Sequence, residues 1–348
     1  MSPLMHWRDA VKSSGNTDGA KVKRGISTGW FAILACGLAG AVATSTASAS
    51  ERVQDVPRQE AQVPGYFRMP VGHFIVTALY DGAVDIDPTL LGGASRQTIQ
   101  SWLTHAFQPV SSPLQTPVNA FLVHTEKNTI LVDTGTAKLF GPRLGFILDN
   151  LRAAGYRAAD IDTILLTHLH PDHAGGLLTA DGDMAFPNAQ VFVPKADADY
   201  WLSETIEQHA RPDQRALFKM SRDAVAPYRS AGKLTVFGVG QPLRDGVTAI
   251  PASGHTPGHM AYLFASSDSA LLVWGDIIHN ASVQFPHPEV SIEFDSDQKQ
   301  AIQTRRTLLS YASTRSVWVA SAHIPFPGIG RVGADKPASY RWVPAQYR

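Results

Sequence analysis

With one cysteine in 348 residues, Cys36, the chain cannot build a disulfide framework or a thiolate metal site. It also lacks a charge of one sign: 30 Lys and Arg stand against 30 Asp and Glu. No basic run interleaved with aromatics follows residue 30, which argues against nucleic acid as a partner. The apolar run Trp30 to Ala43 spans 14 residues, short of the roughly 20 that a membrane-crossing helix needs. No G-x-S-x-G motif is present to make a serine nucleophile elbow, and no G-x-x-x-x-G-K loop to cradle phosphates. What is there suits a folded domain: 44% of residues are hydrophobic and 17% charged, enough to bury a core.

The N-terminus reads as a processed segment. Lys21, Lys23 and Arg24 precede the apolar run, and TSTASAS follows it, with Ala47-Ser48-Ala49 fitting an A-x-A cleavage site. Residues 1–49 are therefore expected to be a signal peptide cut after Ala49, leaving a periplasmic or secreted protein with no membrane segment. Lys23-Arg24 is not a twin-arginine pair, which leaves the general secretory route. A lipoprotein signal at Cys36 would need a small residue where Leu34 stands. The remaining chain has no cysteine and carries 25 basic against 28 acidic residues, a net charge of −3. Residues 50–64 are polar and read as a flexible arm, and residues 65–348 as one domain.

Short apolar runs bounded by turn residues recur in that domain: His73–Tyr80, Ala120–His124, Thr129–Val132, Thr163–Thr167, Gln190–Val193, Val247–Ile250, Ala261–Ala265, Ala270–Val273 and Ser316–Ala320. Each reads as a strand of about five residues. Helical stretches lie between them. Pro142 opens one that places Leu144, Ile147, Leu148 and Leu151 on one face and stops at Gly155. Asp295-Ser296-Asp297 can cap another, running through Ala301, Ile302 and Leu308. Two groups of strands, each flanked by helices, suggest an α/β sandwich of two sheets with outer helices.

One stretch concentrates the chemistry. In THLHPDH, His168, His170, Asp172 and His173 fall on the loop leaving strand Thr163–Thr167, stiffened by Pro171. Imidazole and carboxylate suit zinc and similar ions, and four such groups this close need a cation to balance them if they are buried. Three more candidates follow strands: His255 in ASGHTPGH, Asp276 in WGDIIH and His323 in SAHIPF. A lone His or Asp beyond a strand is usually structural; the shared position raises all three. Asp133 and Gly135 in VDTG also follow a strand, and read as a supporting residue and a turn residue.

HLHPDH, followed in order by GHTPGH, GD and AH, resembles the metallo-β-lactamase fold superfamily over roughly Gly65 to Tyr347. The resemblance implies an αββα sandwich of two mixed sheets with a dinuclear site at one edge. Carried over by position, His168, His170 and His255 would bind one divalent ion and Asp172, His173 and His323 a second, with Asp276 bridging them. True β-lactamases lack that bridging aspartate, which points to the lactonase, glyoxalase-like and phosphotriesterase branches. KLFGPRLG, VQFPHPEVSIEFDSD and AHIPFPGIGRV resemble the methyl parathion hydrolase group with its lactonase and arylesterase relatives, and imply a homodimer. That likeness places Phe140, Trp201 and Phe218 around a leaving-group pocket, where ordinary core packing is an equal alternative for each. His279, Ile292 and Phe294 stand where the parathion-hydrolysing members carry smaller or aliphatic residues.

The implied function is a dinuclear metallo-hydrolase whose bridging hydroxide attacks small aryl esters or lactones, with organophosphate hydrolysis as a promiscuous activity. Asp276 would fix the metal pair, while Asp172 would orient the hydroxide or take its proton. Zinc is the default ion, and His and carboxylate ligands also accept Mn, Co or Fe. Three alternatives stay open: an iron-dependent oxidoreductase of the persulfide dioxygenase kind on the same fold, a β-lactamase, and a non-catalytic zinc-binding protein. His259 reads as a hydrogen-bonded structural histidine.

Overall fold

Thirteen strands form two mixed sheets in a computed structural model that describes residues 58, 62–212 and 214–347. The expected signal peptide, its cleavage site and most of the arm lie outside the described residues. The described residues from Pro64 onward fall in one compact unit. No helix among the described residues is long and apolar enough to cross a membrane.

The first sheet has seven strands in chain order: β1 (Tyr66–Val71), β2 (Phe74–Ile86), β3 (Leu114–His124), β4 (Thr129–Val132), β5 (Thr163–Leu165), β6 (Gln190–Pro194) and β7 (Leu234–Phe237). Its first half is antiparallel, and β4 to β7 are parallel. The second sheet has β8 (Val247–Pro251), β9 (Met260–Ser266), β10 (Ser269–Val273), β11 (Trp318–Ala320), β12 (Ile329–Lys336) and β13 (Ser339–Pro344), with β10 and β11 parallel.

Period-two alternation sorts the strand residues between layers. Ile130 and Val132 of β4 join Phe121, Val123, Leu271, Val273 and Ile329 in a core between the sheets. Leu131, one step away, faces the other side with Leu79, Leu122 and Leu151. Helices α2 (Ile147–Ala153), α3 (Pro171–Ala174), α4 (Lys195–Trp201), α5 (Glu204–His209) and α6 (Arg215–Ser230) cover that outer face, while α1 (Arg96–His105) packs its Ile99 and Leu103 in a separate cluster with Val84, Ile86 and Val290. In α6, Phe218, Ser221, Val225 and Tyr228 are buried at helical spacing. Two more helices, α7 (Ala281–Gln284) and α8 (Gln298–Arg315), follow β10, and Leu308, Leu309 and Ala312 of α8 pack on Leu272, Trp274 and Val319. The architecture is the expected α/β sandwich of two mixed sheets with flanking helices.

Four strands, β1, β7, β12 and β13, went unread in the sequence; β7 is only the four residues LTVF at the sheet edge. The other three are half-exposed and carry Arg68, Pro70, Arg331, Lys336 and Arg341, which break an apolar run. The helix expected from Pro142 begins only at Ile147. Gly145 sits at φ +85°, where an added Cβ would meet the Ala137 carbonyl oxygen at 2.0 Å, so the chain turns there before it can coil. The helix capped before Ala301 forms as expected, with Asp297 accepting from the Gln300 N–H.

Candidate metal centre

The ligand candidates gather because the strands that precede them end together. β5 stops at Leu165, and Thr167 N then donates to Asp133 Oδ1, which follows β4. His168 and His170 come next. The stretch is not loop throughout: His170 caps α3, whose first helical residue is Pro171, so Asp172 and His173 ride one helical turn. Proline's fixed φ suits that first position and needs no donor there. His255, Asp276 and His323 arrive four, three and three residues after β8, β10 and β11.

The structure brings all seven predicted ligand residues into two groups that share one carboxylate. His168, His170, His255 and Asp276 form the first, and Asp172, His173, His323 and Asp276 the second, with the candidate ligand atoms of each group within 4.8 Å of one another. Asp276 Oδ2 lies 3.1 Å from His255 Nε2, 3.0 Å from His323 Nε2 and 3.8 Å from His168 Nε2. Its other oxygen, Oδ1, lies 3.1 Å from His173 Nε2. Asp172 Oδ2 stands 3.5 Å from both His173 and His323.

The donor set suits a divalent cation. His168 Nε2, His173 Nε2 and Asp276 Oδ1 are buried and make no hydrogen bond, a costly state for polar atoms that have no further partner. Burial, then neighbouring histidines, push His168 and His170 well below the ordinary histidine value, which leaves neutral imidazoles with a lone pair to give. Burial works against charge on His255 too, yet Asp276 and Asp295 raise it to about 9. The buried carboxylates thus demand positive charge at this spot.

Outer contacts fix the ring orientations. His173 Nδ1 donates to Asp133 Oδ2 at 2.9 Å, His255 Nδ1 to Asp295 Oδ1 at 3.0 Å and His323 Nδ1 to the Pro117 carbonyl at 2.8 Å, turning each Nε2 inward. Asp197, fully buried on α4, accepts from Leu169 N at 2.8 Å and Gly258 N at 2.7 Å, tying the loop of His168 and His170 to that of His255. Burial raises its carboxyl to about 6. His259 is the structural residue that its sequence suggested. Its Nδ1 donates to the Ala252 carbonyl and its Nε2 accepts from Asp276 N, and burial with nearby His255 lowers it to about 3.

The centre opens into a cavity of about 350 Å³, a size that suits a small molecule. Trp201, His279 and Phe294 line it as expected. Phe140, Phe218 and Ile292 do not. Phe218 is fully buried behind Trp201, at a ring distance of 4.7 Å, because α6 points it into the helix-side core. Phe140 and Ile292 are buried with Leu90, Ile99 and Leu103 in a cluster beside the cavity, where Ile292 also bridges to Leu91. Val84, Ile86, Tyr200 and Leu217 take the wall positions instead. His279 is closer to the centre than a wall residue need be: its Nε2 is 3.2 Å from Asp276 Oδ2, and its ring stacks on His323. Asp295 and Asp197 carried no sequence signal as site residues, since an Asp beside a helix start reads as a cap.

The Metallo-beta-lactamase superfamily model matches residues 114–323. The chain belongs to that superfamily. Among solved structures, the hydrolase AbOPH of the beta lactamase superfamily is 36% identical, with 83% of this chain and 100% of that one covered at a TM-score of 0.79. AidC, a dizinc quorum-quenching lactonase solved in complex with a product, is 26% identical, with 82% and 98% covered at a TM-score of 0.75. An N-acyl homoserine lactonase of Bacillus cereus is 26% identical over an alignment of 181 residues, gaps included, that covers 46% of this chain and 63% of that protein. The chain spans between about half and just under two thirds of the length of such curated relatives.

Proposed function

We propose that this superfamily member is a metal-dependent hydrolase of small aryl esters or lactones, working with two divalent ions, zinc by default. The observation that carries the reading is the pair of ligand groups sharing Asp276 at the floor of a cavity walled by Val84, Ile86, Tyr200, Trp201, Leu217 and Phe294. Divalent ions held there supply Lewis acidity and a water acidic enough to act as a nucleophile near neutral pH. The residues do the rest. Asp276 holds the two groups in register. Asp172, on the cavity wall and partly open to it, is placed to orient the attacking water and take its proton. The aromatic faces of Trp201 and Phe294 favour a flat substrate over a tetrahedral one. The mouth offers Arg211, Gln214, Glu293 and Ser296 to polar substituents.

The dizinc lactonase and homoserine lactonase relatives support this reading, and the complete second ligand group weighs against a single-iron oxidoreductase. Residues 1–49 are proposed as an export signal on the strength of the apolar run and Ala47-Ser48-Ala49 alone. A panel of aryl esters, acyl-homoserine lactones, phosphotriesters and β-lactams, offered to zinc-loaded protein, tests the substrate class. Aryl esters or lactones should be turned over fastest; a faster phosphotriester or β-lactam would overturn the choice, and no turnover of any would favour a binding protein.

A further inference from the structure

Helix α8 supplies no ligand to the centre, yet its buried stripe contains one full charge. Arg305 is 1% exposed among Ala301, Leu308 and Leu309. Packing alone would be served by an apolar side chain at that position, and a buried guanidinium is tolerated only where its donors are used. These are used on a single segment. Nε donates to the Ile277 carbonyl at 2.7 Å, and Nη1 to the carbonyls of Val290 at 2.7 Å and Pro288 at 3.1 Å. Nη2 lies 3.7 Å from Asp295 Oδ2.

That segment, between β10 and α8, starts with Asp276, carries His279 and Phe294 on the cavity wall, and ends at Asp295. Asp295 Oδ1 accepts from His255 Nδ1 at 3.0 Å, and its Oδ2 accepts from Ile292 N at 3.3 Å. One residue before Arg305, Thr304 Oγ1 donates to the Ser253 carbonyl at 2.7 Å, so α8 also grips the loop that presents His255. The corresponding supports of the second group are elsewhere: His173 leans on Asp133 and His323 on the Pro117 carbonyl.

We propose that Arg305 is a positioning residue for the first ligand group, holding Asp295 against His255, which only that group contains, so that its loss empties one metal position in preference to the other. The inference rests on the two-ion reading. With Asp295 in place, the Nδ1–H of His255 is committed outward and the Nε2 lone pair faces the group. Without the guanidinium, the Ile277 and Pro288 carbonyls lose their Arg305 donor, Val290 keeps only the Gln284 amide, and Asp295 loses the cation 3.7 Å from its Oδ2.

The test is titration of the metal-freed full chain with cobalt(II), read by visible absorption and by competition with a chelator, together with thermal unfolding of the metal-free protein. Wild type should take two ions. Arg305→Met should lower affinity for one of them by about 10- to 100-fold, the range typical of ligand-supporting contacts, and leave the other within about threefold. Asp295→Ala should show the same selectivity, and the double variant should be no worse than either single one, since both act on one chain of contacts. Arg305→Lys, which keeps the charge but not the planar fork, should fall between; it and Asp295→Ala decide the matter if Arg305→Met does not fold. Equal loss at both positions, or unchanged affinities with a lower melting temperature, would overturn the assignment and leave Arg305 as a plain structural residue. Fewer than two cobalt ions in the wild type would instead overturn the two-ion reading, and the assignment with it.

Discussion

Replacing Asp133 with Asn changes one atom and forces a choice that the carboxylate avoids. Three donors converge on two oxygens: Thr167 N on Oδ1 at 2.8 Å, and Thr167 Oγ1 and His173 Nδ1 on Oδ2, both at 2.9 Å. An amide can keep its oxygen toward Thr167 N, in which case its NH2 faces the His173 N–H, or it can flip and face the Thr167 N–H. Either way a buried donor is left without an acceptor, at a cost of about 1–3 kcal/mol. A tenfold change in an equilibrium corresponds to about 1.4 kcal/mol, so zinc affinity at the His173 group should fall roughly 5- to 150-fold. The backbone isolates the effect. Asp133 sits at φ +60°, which Asn tolerates as Asp does, and without metal His173 can carry its ring proton on Nε2 and accept from the amide at Nδ1; the cost is then met only when Nε2 must face zinc, and the metal-free variant should melt close to the metal-free wild type. Chelator competition measures the affinity, and turnover of an aryl lactone at limiting zinc should fall with it. Affinity and turnover both within twofold of wild type would refute the argument that Asp133 orients His173.

Three other substitutions probe different layers of the account. Gly275→Ala puts a Cβ 2.5 Å from His259 Nε2 and 2.9 Å from Thr167 Oγ1 at a backbone φ of +56°; the left-handed backbone and the overlap together should cost about 2–5 kcal/mol in urea unfolding, and an unchanged midpoint would refute the packing. Asp197→Ala strips the acceptor from Leu169 N and Gly258 N, each buried, and should destabilise the protein by about 2–6 kcal/mol, against which a loss below about 1 kcal/mol would count. His279→Leu combined with Phe294→Leu opens the cavity beside Asp276 and should raise phosphotriester turnover relative to aryl ester turnover; an unchanged ratio would show that these two residues do not set the preference.

The ligand positions were legible because each lies within eight residues of the end of a strand, and four of them within four, and each carries a side chain with few structural uses in a core. Seven such residues in a cysteine-poor chain left little else to balance them. The parts that stayed hidden are those made by distant pairs. Asp197 reaches Leu169 across 28 positions and Asp295 reaches His255 across 40, and neither has a local pattern to betray it. The cavity wall failed for a related reason: whether an aromatic residue faces a cavity or the core behind it depends on the rotation of its helix. Trp201 and Phe218 show this, since they touch each other and only Trp201 lines the cavity. Arg305 was invisible as a site residue because it interrupts an apolar stripe and reads as an exposed charge. Strands β1, β12 and β13 were lost to their own polarity, and the strand order within each sheet was not readable, since alternation alone does not say which strand lies beside which.

The central claim is that hydrolysis needs both ligand groups filled. Metal-free protein titrated with zinc while aryl lactone hydrolysis is followed tests it directly. Turnover should stay near background until the first equivalent is bound, then rise and level off at two zinc ions per chain, with Asp276→Ala inactive throughout. Full turnover at one equivalent, or turnover that ignores zinc, would contradict the account.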